Sequence, residues 1–214
     1  MMKLAVSLVV GLALAAGFFS LRESREAPAS VPRENVFAAL RARPVRAPRL
    51  VGQPCDRPQN FTAVGLPREF PAEGALGSGP VHPVSRAIPR LLDFFPPRSR
   101  RSRWWSTETM WVSEPGYSGP VLVRGRMVHR GTPVGFGDRA RRSWELRLPA
   151  GRWDEANGAV RIWGRRVVPP NGWRVRRSLT RVLPGSGPGV RCYFFQLDGT
   201  RFSQTVMFGV IIEP

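Results

Sequence analysis

The densest cluster of side chains suited to ligand binding is an arginine run that ends in two tryptophans. The stretch "RSRRSRWW" contains Arg98, Arg100, Arg101, Arg103, Trp104 and Trp105. Guanidinium groups bind phosphate or carboxylate through paired hydrogen bonds, and indole rings stack on sugars, bases or headgroups. The candidate anion-binding residues are therefore Arg98, Arg100, Arg101, Arg103 and Trp104. The alternative is a solvated loop leading into a strand with buried tryptophans, and the alternation around Trp105 favours this alternative.

The whole chain shares the charge bias of this run. Its formal charge is +18, and 32 of its 33 basic residues are arginine, the exception being Lys3. A polyanion partner would suit this charge, and the candidates are a membrane surface or an acidic cell-wall polymer. Another protein is a further candidate partner, and nucleic acid is the least favoured of the polyanions. The alternative is an arginine-rich coding bias spread over a solvated surface, because net charge reports on solubility and non-specific attraction.

Residues that could carry catalysis are few and lie apart in the sequence. His82 and His129 have no nucleophile motif beside them, and Ser118 in "GYSGP" lacks the glycine spacing of a nucleophile elbow. Glu108 and Glu114 are a weak candidate for a hydrolytic pair. We predict no catalytic residue, cofactor or metal site from these patterns. An enzyme remains an alternative, because catalytic groups can converge from distant positions.

The N-terminus carries the most specific targeting signal. Lys3 precedes an apolar run from Leu4 to Leu21, with small residues from Ala13 to Gly17. This pattern predicts a signal peptide over residues 1–21. The run is also long enough to remain as a membrane anchor through residues 4–21, and a buried cytosolic helix is the third alternative. The first two place the folded domain outside the cytoplasm, as a secreted, periplasmic or membrane-anchored protein.

Residues 22–54 are rich in arginine, alanine and proline and predict a linker. "ENVFAALRAR" favours a short helix ended by Pro44, and "PVRAPRLVGQP" favours an extended chain. The domain is then expected over residues 55–214.

Short alternating segments separated by glycine and proline follow from about residue 76. In "WWSTETMWVSE", one face carries Trp105, Thr107, Thr109 and Trp111. In "VLVRGRMV", Arg124 and Arg126 oppose the apolar face. In "SWELRLP", Trp144, Leu146 and Leu148 are predicted to face inward, opposite Ser143, Glu145 and Arg147. This spacing predicts an all-β, antiparallel sandwich or barrel of about seven or eight strands, whose core the tryptophans help to fill.

The last segment, "RCYFFQLDGTRFSQTVMFGVIIEP", predicts a hairpin. Both of its strands are apolar on two faces, which is typical of the middle of a sheet. Asp198-Gly199 is the predicted turn, with the glycine supplying a positive φ.

The chain has two cysteines, Cys55 and Cys192. In an exported protein they predict one disulfide that ties the start of the domain to the hairpin. The alternative is two separate thiols, with Cys192 as a small core residue.

Two stretches, "WVSEPGYSGPVLVRGR" and "PGVRCYFFQLDGTRFSQTVMF", resemble segments of uncharacterised exported bacterial proteins with an immunoglobulin-like sandwich. This resemblance covers the second half of the chain. It implies an immunoglobulin-like fold and an envelope location, without implying an activity or catalytic residues.

The function that these observations favour is an exported, non-catalytic β-sandwich that binds an envelope component or another protein. The first alternative is a polyanion-binding module that uses the arginine and tryptophan cluster. The second is an envelope enzyme with an unrecognised site.

Overall fold

The computed structural model describes residues 33–49, 55, 61–62, 75–84, 94–97, 102–137, 143–151, 153, 160–162, 165–169, 172–185 and 188–212. Pro32–Pro214 form one compact unit. The predicted signal peptide or anchor, residues 1–21, lies outside the described residues. Among the helices of the described part, none has the length and apolar character needed to cross a bilayer.

The described part contains one helix and twelve strands. The helix is α1 (Arg33–Arg41). The strands are β1 (Phe61–Thr62), β2 (Ala75–Leu76), β3 (Val81–Val84), β4 (Trp105–Ser113), β5 (Val121–Met127), β6 (Gly135–Phe136), β7 (Glu145–Leu148), β8 (Val160–Ile162), β9 (Arg165–Val167), β10 (Arg174–Val182), β11 (Gly189–Gly199) and β12 (Ser203–Ile212).

The strands form two main sheets and a short ribbon. The first sheet has the order β1-β2-β3-β4-β10-β6, the second has the order β12-β11-β5-β7, and β8 pairs with β9. Every strand pair in the described part is antiparallel. Seven of these strands have four residues or more, namely β3, β4, β5, β7, β10, β11 and β12. The prediction of an all-β antiparallel protein is confirmed.

A single apolar core joins the two main sheets. Trp111 on β4 meets Phe195 on β11 edge to face, with 5.2 Å between ring centroids. Phe208 on β12 stacks on the other side of Phe195 at 4.4 Å. Aromatic pairs of this kind add to the free energy gained by burying their area. The period-two pattern therefore places the inward faces of both sheets as the sequence predicts.

Polar side chains on the inner face of the first sheet are paired with each other. The Thr109 and Thr180 hydroxyls lie 2.8 Å apart, and the Trp111 indole N–H donates to the Ser178 hydroxyl at 2.8 Å. These bonds offset the cost of burying the hydroxyl groups.

Trp144 corrects the prediction for "SWELRLP". Leu146 and Leu148 are buried, but Trp144 is 50% exposed. Ser143 pairs with Phe136, and β7 begins only at Glu145. Trp144 therefore lies in a bend between these two pairings, where the alternation is interrupted.

The predicted Asp198-Gly199 turn is also wrong. β11 continues through both residues, because Asp198 pairs with Ser203 and Gly199 pairs with Val121. The chain reverses over residues 200–202, and Gly199 N–H donates to the Phe202 carbonyl at 3.0 Å. Gly199 is not among the described glycines with a positive φ. It is required for space instead, because a Cβ there would lie 2.2 Å from the Phe202 ring.

Asp198 is fully buried on the outer face of the second sheet, where it forms a charged network. Arg124 Nη2 lies 2.6 Å from Asp198 Oδ2, and the Ser203 hydroxyl donates to Oδ1 at 2.7 Å. The Gln196 amide donates to both carboxylate oxygens at 3.0 and 3.1 Å. The carboxylate thus receives the charge and the hydrogen bonds that a buried anion needs.

The N-terminal segment, residues 33–49, lies against this outer face. Arg124 donates to the carbonyls of Arg41 and Arg43 at 3.1 and 2.9 Å. Gln196 exchanges two hydrogen bonds with the backbone of Pro44 and Arg46. The described half of the predicted linker is therefore bound to the sheet by its backbone.

A surface ion pair adds to this attachment. Arg41 contacts Glu145 on β7 at 2.5 Å. The hydrogen bond from Arg41 is the main reason that the pKa of Glu145 lies at about 2, below its usual value. This contact holds the C-terminal end of α1 over the edge of the second sheet.

The predicted disulfide is confirmed. Cys55 and Cys192 are bonded across a sequence separation of 137 residues. Cys192 lies on β11 in the same period-two set as Gln196 and Asp198, so the bond also attaches to the outer face. The described residues contain no free cysteine.

Replacing both cysteines with serine should lower stability. The chain-entropy model gives a loss of about 5 kcal/mol for a loop of this length. Urea denaturation of the wild type and of the Cys55→Ser/Cys192→Ser variant measures the difference. Dithiothreitol should lower the wild-type midpoint and leave the variant unchanged, and equal midpoints without reductant would contradict a stabilising bond.

Asp198→Ala should lower the free energy of unfolding by about 3–5 kcal/mol, because it leaves the Arg124 guanidinium buried without its counter-charge. Glu108→Ala is the matched control, since Glu108 forms a 3.4 Å ion pair with Arg177 at the surface. The control should cost less than about 1 kcal/mol. Equal losses of unfolding free energy in the two variants, measured by urea denaturation, would show that the buried Asp198 pair stabilises the protein no more than the surface pair.

Candidate functional site

The arginine and tryptophan cluster is described in part. Arg98, Arg100 and Arg101 lie outside the described residues. Arg103 is exposed and Trp104 is half-buried. Trp105 is partly buried against the core.

A second indole lies beside Trp104. The rings of Trp104 and Trp144 have centroids 5.8 Å apart and are tilted by 43°. We call Arg103, Trp104 and Trp144 the Arg-Trp patch. The sequence pattern does not assign Trp144 to this cluster, because it is 40 positions from Trp104 and the alternation predicts a core position for its side chain. An exposed indole beside Trp104 offers a stacking surface, and Arg103, the residue before Trp104, carries charged hydrogen-bond donors.

A cavity of about 400 Å³ opens where three loops meet, and we call it the Glu114 cavity. Its walls come from the β3 approach, the loop after β4 and the turn between β11 and β12. It is lined by Pro80, Glu114, Gly116, Tyr117, Arg201 and Phe202. This volume lies at the small end of the range of ligand sites, roughly 300–1,000 Å³.

His82 holds the carboxylate of this cavity. Its Nε2 lies 3.2 Å from Glu114 Oε1, and its Nδ1 lies 3.3 Å from the Leu76 carbonyl oxygen. Both neighbours are acceptors, so a doubly protonated ring donates to both and a neutral ring donates to one. His82 is only 1% exposed, so it orients Glu114 and does not itself reach the cavity.

Two aromatic rings form another part of the lining. Tyr117 and Phe202 meet edge to face, with centroids 5.1 Å apart. The Tyr117 hydroxyl donates to the Pro120 carbonyl at 2.7 Å and accepts from Thr200 N–H at 3.3 Å. The tyrosine therefore joins the loop after β4 to the turn after β11.

Arg174 fixes this loop from beneath. Its guanidinium lies 4.0 Å from the Trp153 ring centroid and 5.5 Å from the Tyr117 ring centroid. It donates to the carbonyls of Gly119 and Gly151 at 3.2 and 2.9 Å. Burial lowers its pKa to about 10, so the group stays charged at neutral pH. Backbone carbonyls and aromatic rings therefore surround this charge in place of a carboxylate. These contacts also hold Tyr117 in the cavity wall.

The other candidate catalytic residues do not converge. Glu108 pairs with Arg177 on the surface. It lies six residues before Glu114 along an extended chain, about 20 Å away at strand spacing. His129 is exposed in the turn after β5, and Ser118 is exposed in the loop after β4. Among the described residues, no group of three or more His, Cys, Asp or Glu side chains is placed to hold a metal.

No family model matches the chain, and no curated protein matches it. Among solved structures, the chain is similar to the CooA pilin subunit from enterotoxigenic Escherichia coli. The identity is 10%, the alignment covers 64% of this chain and 100% of the pilin chain, and the TM-score is 0.29. A TM-score at this level supports no inference about fold or function.

Gly199→Ala should displace the aromatic wall of the Glu114 cavity, because the new Cβ would lie 2.5 Å from the Tyr117 hydroxyl oxygen. Overpacking of this kind costs about 1–3 kcal/mol. Gly116→Ala is the control on the same cavity, since a Cβ there meets nothing within 4 Å. The urea midpoint should fall and the near-ultraviolet circular dichroism spectrum should change in Gly199→Ala, and both should stay near wild type in Gly116→Ala. A neutral Gly199→Ala would show that the wall can move at little cost.

Proposed function

We propose that this protein is an exported binding module with an immunoglobulin-like sandwich that binds an envelope component. The disulfide between Cys55 and Cys192 supports an oxidising compartment, because such bonds persist outside the cytoplasm. The apolar run from Leu4 to Leu21 supports the same location, as a signal peptide or as a membrane anchor. Two antiparallel sheets that share one core support the sandwich.

The Arg-Trp patch is the surface through which this module binds. Trp144 is half exposed beside Trp104, and the arginine run directly precedes Trp104 in the sequence. The observation that carries the proposal is the exposed Trp144 ring beside Trp104, because a tryptophan that only filled the core would be buried. Indoles stack on sugar rings or lie at the headgroup level of a membrane, while arginines bind acidic groups. The ligand is then an envelope polyanion, either anionic lipid headgroups or an acidic wall polymer.

An envelope enzyme is the second candidate. A carboxylate held by a buried imidazole beside a cavity is an arrangement used in general acid–base chemistry, and Glu114 with His82 forms one. Among the described residues, neither side chain is hydrogen-bonded to a serine, threonine or cysteine. Turnover of a bound ligand, lost in Glu114→Gln, would distinguish this candidate from simple binding.

Binding to anionic vesicles of phosphatidylglycerol and to soluble heparin tests the main proposal. Wild-type protein should bind one or both, with an affinity that falls steeply as sodium chloride is raised. Trp144→Ala should weaken binding by roughly tenfold without changing that salt dependence, because it removes stacking and not charge.

Removing the arginine run should both weaken binding and flatten the salt dependence. The variant is Arg98→Ala/Arg100→Ala/Arg101→Ala/Arg103→Ala. A variant with the same loss of charge at exposed positions elsewhere, Arg46, Arg126, Arg130 and Arg166 to alanine, is the control. Vesicle binding alone identifies a lipid surface, and heparin binding alone identifies a soluble polymer. Equal losses in the two arginine variants would reduce the effect to net charge and contradict a defined patch.

A further inference from the structure

The Glu114 cavity contains two opposite charges that do not neutralise each other. Glu114 and Arg201 both line it. Within the described residues, Glu114 is hydrogen-bonded to His82, and Arg201 forms no ion pair within 4.0 Å. Since the two side chains are not paired with each other, each one is available to a group bound in the cavity.

The aromatic wall of Tyr117 and Phe202 belongs to the same lining as these two charges. Tyr117 and Phe202 present ring surface to the cavity, and an aromatic face attracts an ammonium group. A carboxylate next to such a face strengthens the selection for a cation. The Arg201 guanidinium in the same lining selects a carboxylate or phosphate, which it can bind through two hydrogen bonds.

We propose that the Glu114 cavity binds a small zwitterion of the amino-acid class. The ammonium group lies against Glu114 and the aromatic wall, and the anionic group binds Arg201. This site is separate from the Arg-Trp patch and does not depend on it. The volume of about 400 Å³ suits a ligand of this size.

The structure holds this site ready before a ligand arrives. His82 is buried and fixes Glu114, so the carboxylate loses little freedom on binding. Arg174 and the Thr200 N–H fix Tyr117 from two sides. Groups fixed in advance reduce the entropy cost of binding, which matters most for a small ligand with few contacts.

Nuclear magnetic resonance titration of the full-length chain tests this assignment with three matched probes. 4-Aminobutyrate carries both charges, butylamine carries only the cation, and butyrate carries only the anion. The amide resonances of Gly116, Tyr117 and Phe202 should shift with 4-aminobutyrate at a lower concentration than with either single-charge probe. Because each charge contributes separately, we expect the zwitterion to bind at least fivefold more tightly.

Two charge-neutralising variants separate the two halves of the site. Glu114→Gln should abolish the butylamine shifts and retain the butyrate shifts, whereas Arg201→Gln should do the reverse. Both should weaken 4-aminobutyrate binding at least fivefold. Unchanged amide resonances along β11 confirm that each variant is folded.

Three results would overturn the proposal. These are the absence of shifts at the cavity residues with all three probes, equal binding of the zwitterion and one single-charge probe, and unchanged zwitterion affinity in both variants. Trp144→Ala is the control for independence and should leave the titration unchanged, while Glu114→Gln should leave vesicle and heparin binding unchanged. The two sites can therefore fail separately.

Discussion

The buried ion pair between Asp198 and Arg124 is the interaction on which the arrangement of this protein depends. A carboxylate with no solvent exposure is costly unless charge and hydrogen bonds replace water. Arg124 supplies the charge, and Gln196 and Ser203 supply hydrogen bonds from the same sheet. Arg124 also donates to the backbone carbonyls of residues 41 and 43. The same guanidinium thus compensates the buried anion and attaches the N-terminal segment.

The two faces of strand β11 contact different parts of the protein. Tyr193, Phe195 and Leu197 face the core shared by the two sheets. Cys192, Gln196 and Asp198 face outward, where they hold Cys55 and the N-terminal segment by a disulfide, by hydrogen bonds and through Arg124. The strand ends at Gly199, and the turn that follows carries Arg201 and Phe202 to the Glu114 cavity. Core, N-terminal attachment and cavity therefore share one strand, so a change in its register would disturb all three.

The candidate sites differ in how far the sequence could predict them. The arginine run is visible because its members are adjacent in the chain, and it stays a prediction for Arg98, Arg100 and Arg101. Trp144 belongs with Trp104 only through a tertiary contact. Local alternation could not predict this, because it does not show where the strand pairing is interrupted. Nothing in the sequence pattern places His82 beside Glu114. They are 32 residues apart and meet because β3 pairs with β4, which brings His82 opposite Val112 near the strand end.

The amino-acid sequence by itself determined which faces of the strands are buried, since period-two burial is a local property of an extended chain. It also predicted the disulfide, because two cysteines allow only one pairing. Only the tertiary structure decided the role of Asp198-Gly199. This pair is typical of a hairpin turn, but Asp198 is a buried anion because Arg124, 74 residues earlier in the chain, lies beside it. Gly199 is required because the Phe202 ring leaves no space for a Cβ. The environments of these two residues depend on which strands are neighbours, and the packing of the whole domain determines the strand order.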